Sequence, residues 1–257
     1  MGILNVTPNS FYDGGKHTEE KVILNQVEKM LSEGATFIDV GGYSSKPNAE
    51  EVSEVQELQR ILPVVQNIIK EFPNTVISID TFRSKVAQAA VENGAEIIND
   101  ISAGNLDGNM MKTVAQLQVP YIMMHMKGTP QTMQSLTHYE NIIKEMLFYF
   151  SEKIEQARSF GINDLILDPG FGFAKTVEQN FEVLSKLELF QITELPILAG
   201  LSRKSMIYKT LDTTAEFALN GTTSLNTISL LKGAKILRAH DVKEAVECVQ
   251  LYNQLQN

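Results

Sequence analysis

A short apolar run, a polar or glycine-rich turn and then a longer amphipathic segment: this alternation recurs eight times along the chain and constrains its fold more than any other feature. The runs are Gly2-Val6, Thr36-Val40, Val76-Ile79, Glu96-Asn99, Pro120-Met124, Leu165-Leu167, Pro196-Ala199 and Lys235-Leu237. Each is too short for a helix, and several are rich in Ile or Val, so each is expected to be a strand. Helical patterns lie between them. Glu19 to Ser32 carries Val22, Ile23, Val27, Met30 and Leu31 on one face. Glu50 to Phe72 carries Val52, Val55, Leu58, Leu62, Val65 and Ile69, with Pro63 placed to kink it. His138 to Phe160 is long and aromatic, and Asp241 to Leu255 follows an aspartate suited to capping. Thr213 to Lys232 reads as a helix that lengthens one repeat. Gly34 and Gly94 stand where a helix would end before the next strand.

Eight βα repeats without a linker predict an α/β fold, a closed (β/α)₈ TIM barrel, in preference to a doubly wound open sheet. At 257 residues the chain has the length for one such domain spanning 1–257. A net charge of −9 argues against a nucleic-acid surface, which needs a basic stripe. No apolar run approaches the ~20 residues of a membrane helix. The one cysteine, Cys248, cannot form an internal disulfide and reads as an inert packed thiol. The opening Met1-Gly2-Ile3-Leu4-Asn5 lacks the basic and apolar regions of a signal peptide, so the expected location is cytoplasmic.

Barrel sites sit at the C-terminal ends of the strands. The residues there are Asn5, Asp39, Asp80, Asn99, His125, Asp168, Ser202 with Lys204, and Arg238 with His240. Capping alone explains one or two polar strand ends, but not a set this rich in carboxylates, amides and cations. Asp80, Asn99 and Asp168 suit a flat heterocycle with adjacent N–H donors, because a carboxylate accepts two parallel N–H bonds. Lys204, Arg238 and His240 come from the last two turns, the quarter in which many barrels bind phosphate. Neither a Walker loop nor a dinucleotide fingerprint is present, and the histidines lack zinc spacing. A phosphate-bearing substrate would favour Mg²⁺. Asp39 reads as structural, capping a turn or holding Gly41 and Gly42. His125 reads equally as a packed side chain or a ligand contact. Phe171, Met123 and Met126 read as core and Lys175 as solvated. Arg203 either lines the pocket or pairs on the surface.

At these residues the chain resembles the dihydropteroate synthases. The resemblance rests on Gly2-Ile3-Leu4-Asn5-Val6-Thr7-Pro8-Asn9-Ser10-Phe11 and Ile38-Asp39-Val40-Gly41-Gly42-Tyr43-Ser44-Ser45-Lys46-Pro47. It continues through Ser78-Ile79-Asp80-Thr81, Ile98-Asn99-Asp100 and Met124-His125-Met126. It ends with Leu167-Asp168-Pro169-Gly170-Phe171-Gly172-Phe173, Ser202-Arg203-Lys204-Ser205 and Arg238-Ala239-His240-Asp241. The resemblance implies an enzyme that joins a dihydropterin methyl diphosphate to 4-aminobenzoate and releases pyrophosphate. It places the pterin on Asp80, Asn99, Asp168 and Lys204, with Met124 beside the ring. It assigns the diphosphate to Asn5, Ser45, Lys46, Arg238 and His240, with Mg²⁺ reached by Asn5. It assigns the aminobenzoate to Phe11, Ser45, Pro47, Phe173 and Ser205, and the catalytic work to Asp80, Lys204, Arg238 and His240. It also implies a homodimer through C-terminal helices, where Val246, Val249 and Leu251 lie.

The chain departs from the family in three places. Ser45-Lys46-Pro47-Asn48 stands where Thr-Arg-Pro-Gly is common, so Lys46 keeps the charge without the planar fork of arginine. Asn9 replaces a frequent aspartate. Relatives carry a short leading segment near the barrel base, and its absence here is expected to expose apolar floor. Two other readings share the pterin cradle: a methyltransferase domain acting on methyltetrahydrofolate and a corrinoid protein, and a non-catalytic pterin-binding barrel.

Overall fold

The computed structural model describes residues 1–6, 16–43 and 52–255, and the side chains of 16–19 are set aside. The expected site residues Phe11, Ser45, Lys46 and Pro47 lie outside the described residues. Eight parallel strands form where the apolar runs predict them: β1 (Gly2–Asn5), β2 (Phe37–Gly41), β3 (Val76–Asp80), β4 (Ile97–Asp100), β5 (Tyr121–Met124), β6 (Leu165–Asp168), β7 (Leu198–Ala199) and β8 (Ile236–Leu237). The first six pair in sequence order, and β7 pairs with β8. Two bridges, Leu167 to Ile197 and Gly2 to Ala239, join these groups. The backbone bonds Leu167 N to Pro196 O (2.9 Å) and Ile3 N to Ala239 O (3.0 Å) complete the ring. The sheet therefore has no open edge, and the barrel reading holds over the doubly wound one.

Strand side chains alternate between two faces, and the register turns this into tiers. Asn5 pairs with Gly41, Gly41 with Asp80, and Asp80 with Asn99. The inward column of β3 reads Val76, Ser78, Asp80. Val76 packs with Ile97, Ile122, Leu198, Met1, Phe37, Ile166 and Ile236 in an apolar floor. The outward residues Ile77 and Ile79 are fully buried beneath the helices, with Ile38, Val40 and Ile98. The barrel interior is therefore apolar at its floor and polar at its mouth.

The helices α1 (Lys16–Ser32), α2 (Glu54–Glu71), α3 (Ser84–Glu92), α4 (Met110–Leu117), α5 (Ile142–Ser159), α6 (Val177–Ser185), α7 (Ser205–Thr210), α8 (Leu219–Leu231) and α9 (Val242–Gln254) wrap the ring. Gly34 and Gly94 take φ of +97° and +107° just past α1 and α3, as helix-ending glycines do. Helix α2 starts at a capping box, Ser53 with Gln56, four residues later than the hydrophobic pattern predicts, and it runs on through Pro63. Its buried face is Ile61, Val64, Val65 and Ile68. Val55, expected in that stripe, is 61% exposed, because the true stripe is turned by one position. Asp241 does occupy the N-cap position of α9, but its side chain makes no capping bond. Both carboxylate oxygens instead take Arg203, at 2.8 Å each. Among the described residues no helix is long and apolar enough to cross a membrane.

Candidate active site

The polar tier at the mouth is built around a carboxylate that strand-end reasoning set aside. Asp39 lies inside β2 with no exposed surface. It accepts hydrogen bonds from Ser78 Oγ at 2.6 Å, Asn99 Nδ2 at 3.1 Å and Arg238 Nε at 2.6 Å. Asp39 is thus structural, as expected, but it neither caps a turn nor holds the glycine loop: it ties β2, β3, β4 and the end of β8 together. A carboxylate inside an apolar strand signals a buried cation elsewhere in the chain, because an unpaired buried charge is not tolerated. That signal was available in the sequence.

Arg238 spans the mouth. Its Nη2 donates to Asp80 Oδ2 at 2.7 Å while its Nε holds Asp39. Burial works against the guanidinium, but Asp39 and Asp80 outweigh it and keep Arg238 charged. The other oxygen of Asp80 accepts from Tyr43 Oη at 3.2 Å, and the Tyr43 ring packs edge-on to Phe82 at 5.2 Å. Burial pushes the Asp80 carboxyl up to about 7; Arg238 opposes the rise and Asp39 adds to it. Asp80 thus sits at the boundary between its charged and neutral forms near neutral pH.

A second acid–base pair faces this one. Asp168, 6% exposed at the end of β6, accepts from Gly170 N at 2.8 Å. Burial raises its carboxyl, and the charge of Lys204 opposes the rise. Lys204 lies just ahead of α7, donates to Phe171 O, and stands 4.9 Å from the Phe173 ring centroid. Burial lowers its ammonium to about 8, with Asp168 resisting. Met124, 3% exposed, is the register partner of Asp168. Asn99, Asp80, Asp168, Lys204 and Arg238 thus meet at one mouth, linked by hydrogen bonds or by mutual charge.

The remaining candidates lie at the rim. A side chain added at Gly41 would come 3.7 Å from Asp80 Oδ2 and 3.8 Å from Asn5 Oδ1, so this glycine leaves space between an amide and a carboxylate oxygen. His240 is exposed, with Nδ1 3.0 Å from Ser202 Oγ. Ser205 is the first residue of α7 and is half-buried. Among the described residues no cluster of three His, Cys, Asp or Glu side chains could hold a metal.

Several undecided side chains resolve. Phe171 is core, and His125 is packed at 2% exposure with its ring edge-on to Tyr149 at 4.8 Å. Arg203 forms its two-bond pair with Asp241 instead of lining the pocket. The expectation that Lys175 is solvated is overturned. It is 6% exposed, and its Nζ contacts His125 Nδ1 (3.1 Å), Gly170 O (3.0 Å) and Phe173 O (3.0 Å). Nothing in the local sequence marks this lysine, since its acceptors are created by the fold.

Residues 1–240 match the pterin binding enzyme family. The dihydropteroate synthase of Haemophilus influenzae is 42% identical over 259 residues, covering 100% of this chain and 94% of that protein. The structure of Yersinia pestis dihydropteroate synthase with a sulfonamide drug complex superposes with a TM-score of 0.92 at 39% identity, covering 99% of this chain and 93% of that one. The Xanthomonas albilineans dihydropteroate synthase with 4-aminobenzoic acid gives a TM-score of 0.92 at 35% identity, covering 99% and 92%. With this likeness running from end to end and the polar tier in place, the chain belongs to the dihydropteroate synthases, the transferases of folate biosynthesis within the pterin-binding enzyme family.

Proposed function

We propose that the mouth of this barrel condenses a dihydropterin methyl diphosphate with 4-aminobenzoate by a dissociative displacement. The observation that carries this reading is the Asp39–Arg238–Asp80 chain facing the Asp168–Lys204 pair. Asp80, Asn99, Asp168 and Lys204 present carboxylate, amide and ammonium groups suited to the donor–acceptor edge of a pterin, with Met124 against the ring. The methylene–oxygen bond breaks and its electron pair leaves with the diphosphate. The resulting cation is spread over the pterin, and the buried carboxylate of Asp80 opposes its charge. The aryl amine then attacks the methylene carbon, and its proton passes to the released diphosphate. No covalent bond to the protein is formed.

Arg238, His240 and Asn5, together with Ser45 and Lys46, are assigned to the diphosphate. Phe11, Ser45, Pro47, Phe173 and Ser205 are assigned to the aminobenzoate. The ring of Phe173 beside Lys204 supports that placement. Ser205 opens α7, where a hydroxyl and free backbone N–H groups suit a carboxylate. Asn5 Oδ1 is a hard oxygen donor in a mouth without a protein metal cluster among the described residues. That fits Mg²⁺ with Asn5 as its protein ligand, and the ion would supply positive charge to the leaving group. A cytoplasmic setting belongs to the same proposal.

We also infer a homodimer. Helix α8 supports it, because it turns Thr222, Asn226 and Ser229 inward and leaves Ile228 and Leu231 exposed.

The experiment is a coupled pyrophosphate assay. Release is expected only when both substrates are present, and chelation of Mg²⁺ is expected to suppress it. Pterin binding without pyrophosphate release would instead support a non-catalytic barrel, and methyl transfer to a corrinoid would support the methyltransferase reading.

A further inference from the structure

The turn between β6 and α6 carries much of the mouth: Asp168 at its start, Phe171 O beneath Lys204, and Phe173 at the rim. Its backbone is unusual. Gly170, Gly172 and Ala174 take φ of +68°, +83° and +48°, so three of five consecutive residues are left-handed, one of them with a side chain. Such a path makes few regular backbone bonds, Phe173 N to Gly170 O at 3.0 Å among them, and leaves carbonyl lone pairs for other donors. It is also pressed against β5, since a Cβ at Gly170 would lie 2.2 Å from His125 O.

Lys175 supplies the partners. Gly170 O and Phe173 O accept from its Nζ at 3.0 Å each, and His125 Nδ1 lies at 3.1 Å. Three contacts match the three donors of an ammonium. Burial holds the His125 imidazole well below its ordinary pKa, with Lys175 and Lys127 adding to the effect, so the ring is neutral and accepts through Nδ1 in the tautomer with its proton on Nε2. Filling this space with an aliphatic side chain would avoid the desolvation of a cation. The ammonium is there for its directed bonds.

We propose that Lys175 is a positioning residue, which locks the β6–α6 turn to the end of β5 and thereby sets Asp168, Phe173 and the carbonyl that receives Lys204 at the pterin end of the mouth. The two lysines grip the same turn from different sides, Lys175 at residues 170 and 173 and Lys204 at 171. Asn180 Oδ1 holds it from α6 by accepting from Gly172 N at 2.6 Å. The charged and titratable groups around Lys175 are His125 and Lys127 from the β5 side, Asp168 from β6 and Lys204 from the turn before α7. Burial lowers its ammonium to about 7, Asp168 resists, and Lys204 and Lys127 add to the drop. The lock therefore loosens as pH rises through the neutral range.

The inference rests on reading this mouth as the pterin site. The test compares the wild type with Lys175→Met, which keeps the length and loses the donors. It measures calorimetric affinity for the dihydropterin diphosphate between pH 6 and 9, with kcat and KM for both substrates. At pH 6.5 the variant is expected to bind the pterin about tenfold more weakly or worse, with KM for the pterin rising more than kcat falls. The ratio of variant to wild-type dissociation constants should shrink above pH 8, where the wild type has lost the same proton. A packing role alone would give a ratio independent of pH. Lys175→Gln, which returns two N–H donors, should recover part of the affinity. Dissociation constants within about twofold of the wild type at every pH, or a constant ratio, overturn the proposal. So does a failure of both variants to fold, because the side chain would then serve the whole barrel and not one turn. Wild-type turnover tests the reading of the mouth, and the variant ratio tests the lysine, so either can fail alone.

Discussion

The proposed mechanism gives Asp80 its central charge, and the surroundings of that side chain predict opposite effects on activity and on stability. Tyr43 and Arg238 each hold one of its oxygens, so its orientation is set before substrate arrives. Asp80→Asn keeps the shape and removes the charge that opposes the pterin cation. Turnover should fall by about 100-fold or more with circular dichroism unchanged. Near wild-type turnover in that variant would take Asp80 out of the reaction. The wild-type pH profile should follow the same group: with the carboxyl pushed up to about 7, kcat/KM should decline as pH falls below neutrality. Stability runs the other way. The folded state holds this proton up to about 7 and the ordinary value is 3.8, so the contribution of Asp80 is fully present below 3.8 and is lost as pH rises through 7. Asp80 was legible in the sequence because it ends a strand. Asp39 stood in the same strand-end set but sits in mid-strand, and its tie to Arg238 was marked only by its charge among apolar neighbours. Lys175 carried no mark at all, because its carbonyl partners exist only once the β6–α6 turn has folded.

Strands and helices were legible to different degrees, for a physical reason. All eight strands appear within about two residues of the apolar runs, because a parallel strand covered on both faces needs a continuous apolar stretch. Helix α2 was harder: one face had to be chosen from several apolar residues, and Ile61, Val64 and Ile68 won over Val55. Caps were harder still. Asp241 precedes α9 as a cap should, yet it serves a longer-range contact. Its pair with Arg203 joins the turn before α7, which carries Ser202 and Lys204 and leads into Ser205, to the turn before α9, which carries His240. Arg203 adopts φ of +54°, a costly backbone for a residue with a side chain, and two bonds to Asp241 with two more to Ala215 O and Glu216 O offset that cost. Arg203→Ala should therefore destabilise the fold by about 1–2 kcal/mol, a fall of a few degrees in melting temperature for a chain of this size. Arg203→Lys should recover only part, since lysine lacks the planar fork. A melting temperature unchanged by Arg203→Ala would mean that the two turns hold their places without the pair.

At the scale of the whole molecule, the exposed surface bears on the proposed homodimer. The apolar residues first associated with self-association, Val246, Val249 and Leu251, divide: Val246 packs against Gly34, while Val249 and Leu251 face outward. Helix α8 packs between α7 and α9 and buries Leu230 beside Asn226 and Ser229, while Ile228 and Leu231 are exposed at 40% and 57%. Phe217, just before it, is 71% exposed, and Leu211, just after α7, is 55% exposed. Exposed Ile228, Leu231, Phe217 and Leu211 gather apolar surface on one side of α7 and α8, which suits the apolar core of an isologous contact. The sequence hid this because the apolar period of α8 reads as an ordinary core stripe until its direction is known. The net charge of −9 opposes association weakly and is screened by salt, so burial of the patch should win. Sedimentation at micromolar concentration should give a dimer at physiological salt. Leu231→Lys should shift the protein toward monomer without lowering the melting temperature in dilute solution, because that side chain contributes little to its own barrel. A wild type that sediments as a monomer would remove the dimer. A Leu231→Lys variant that stays dimeric would move the contact off α8, toward Val249 and Leu251 on α9.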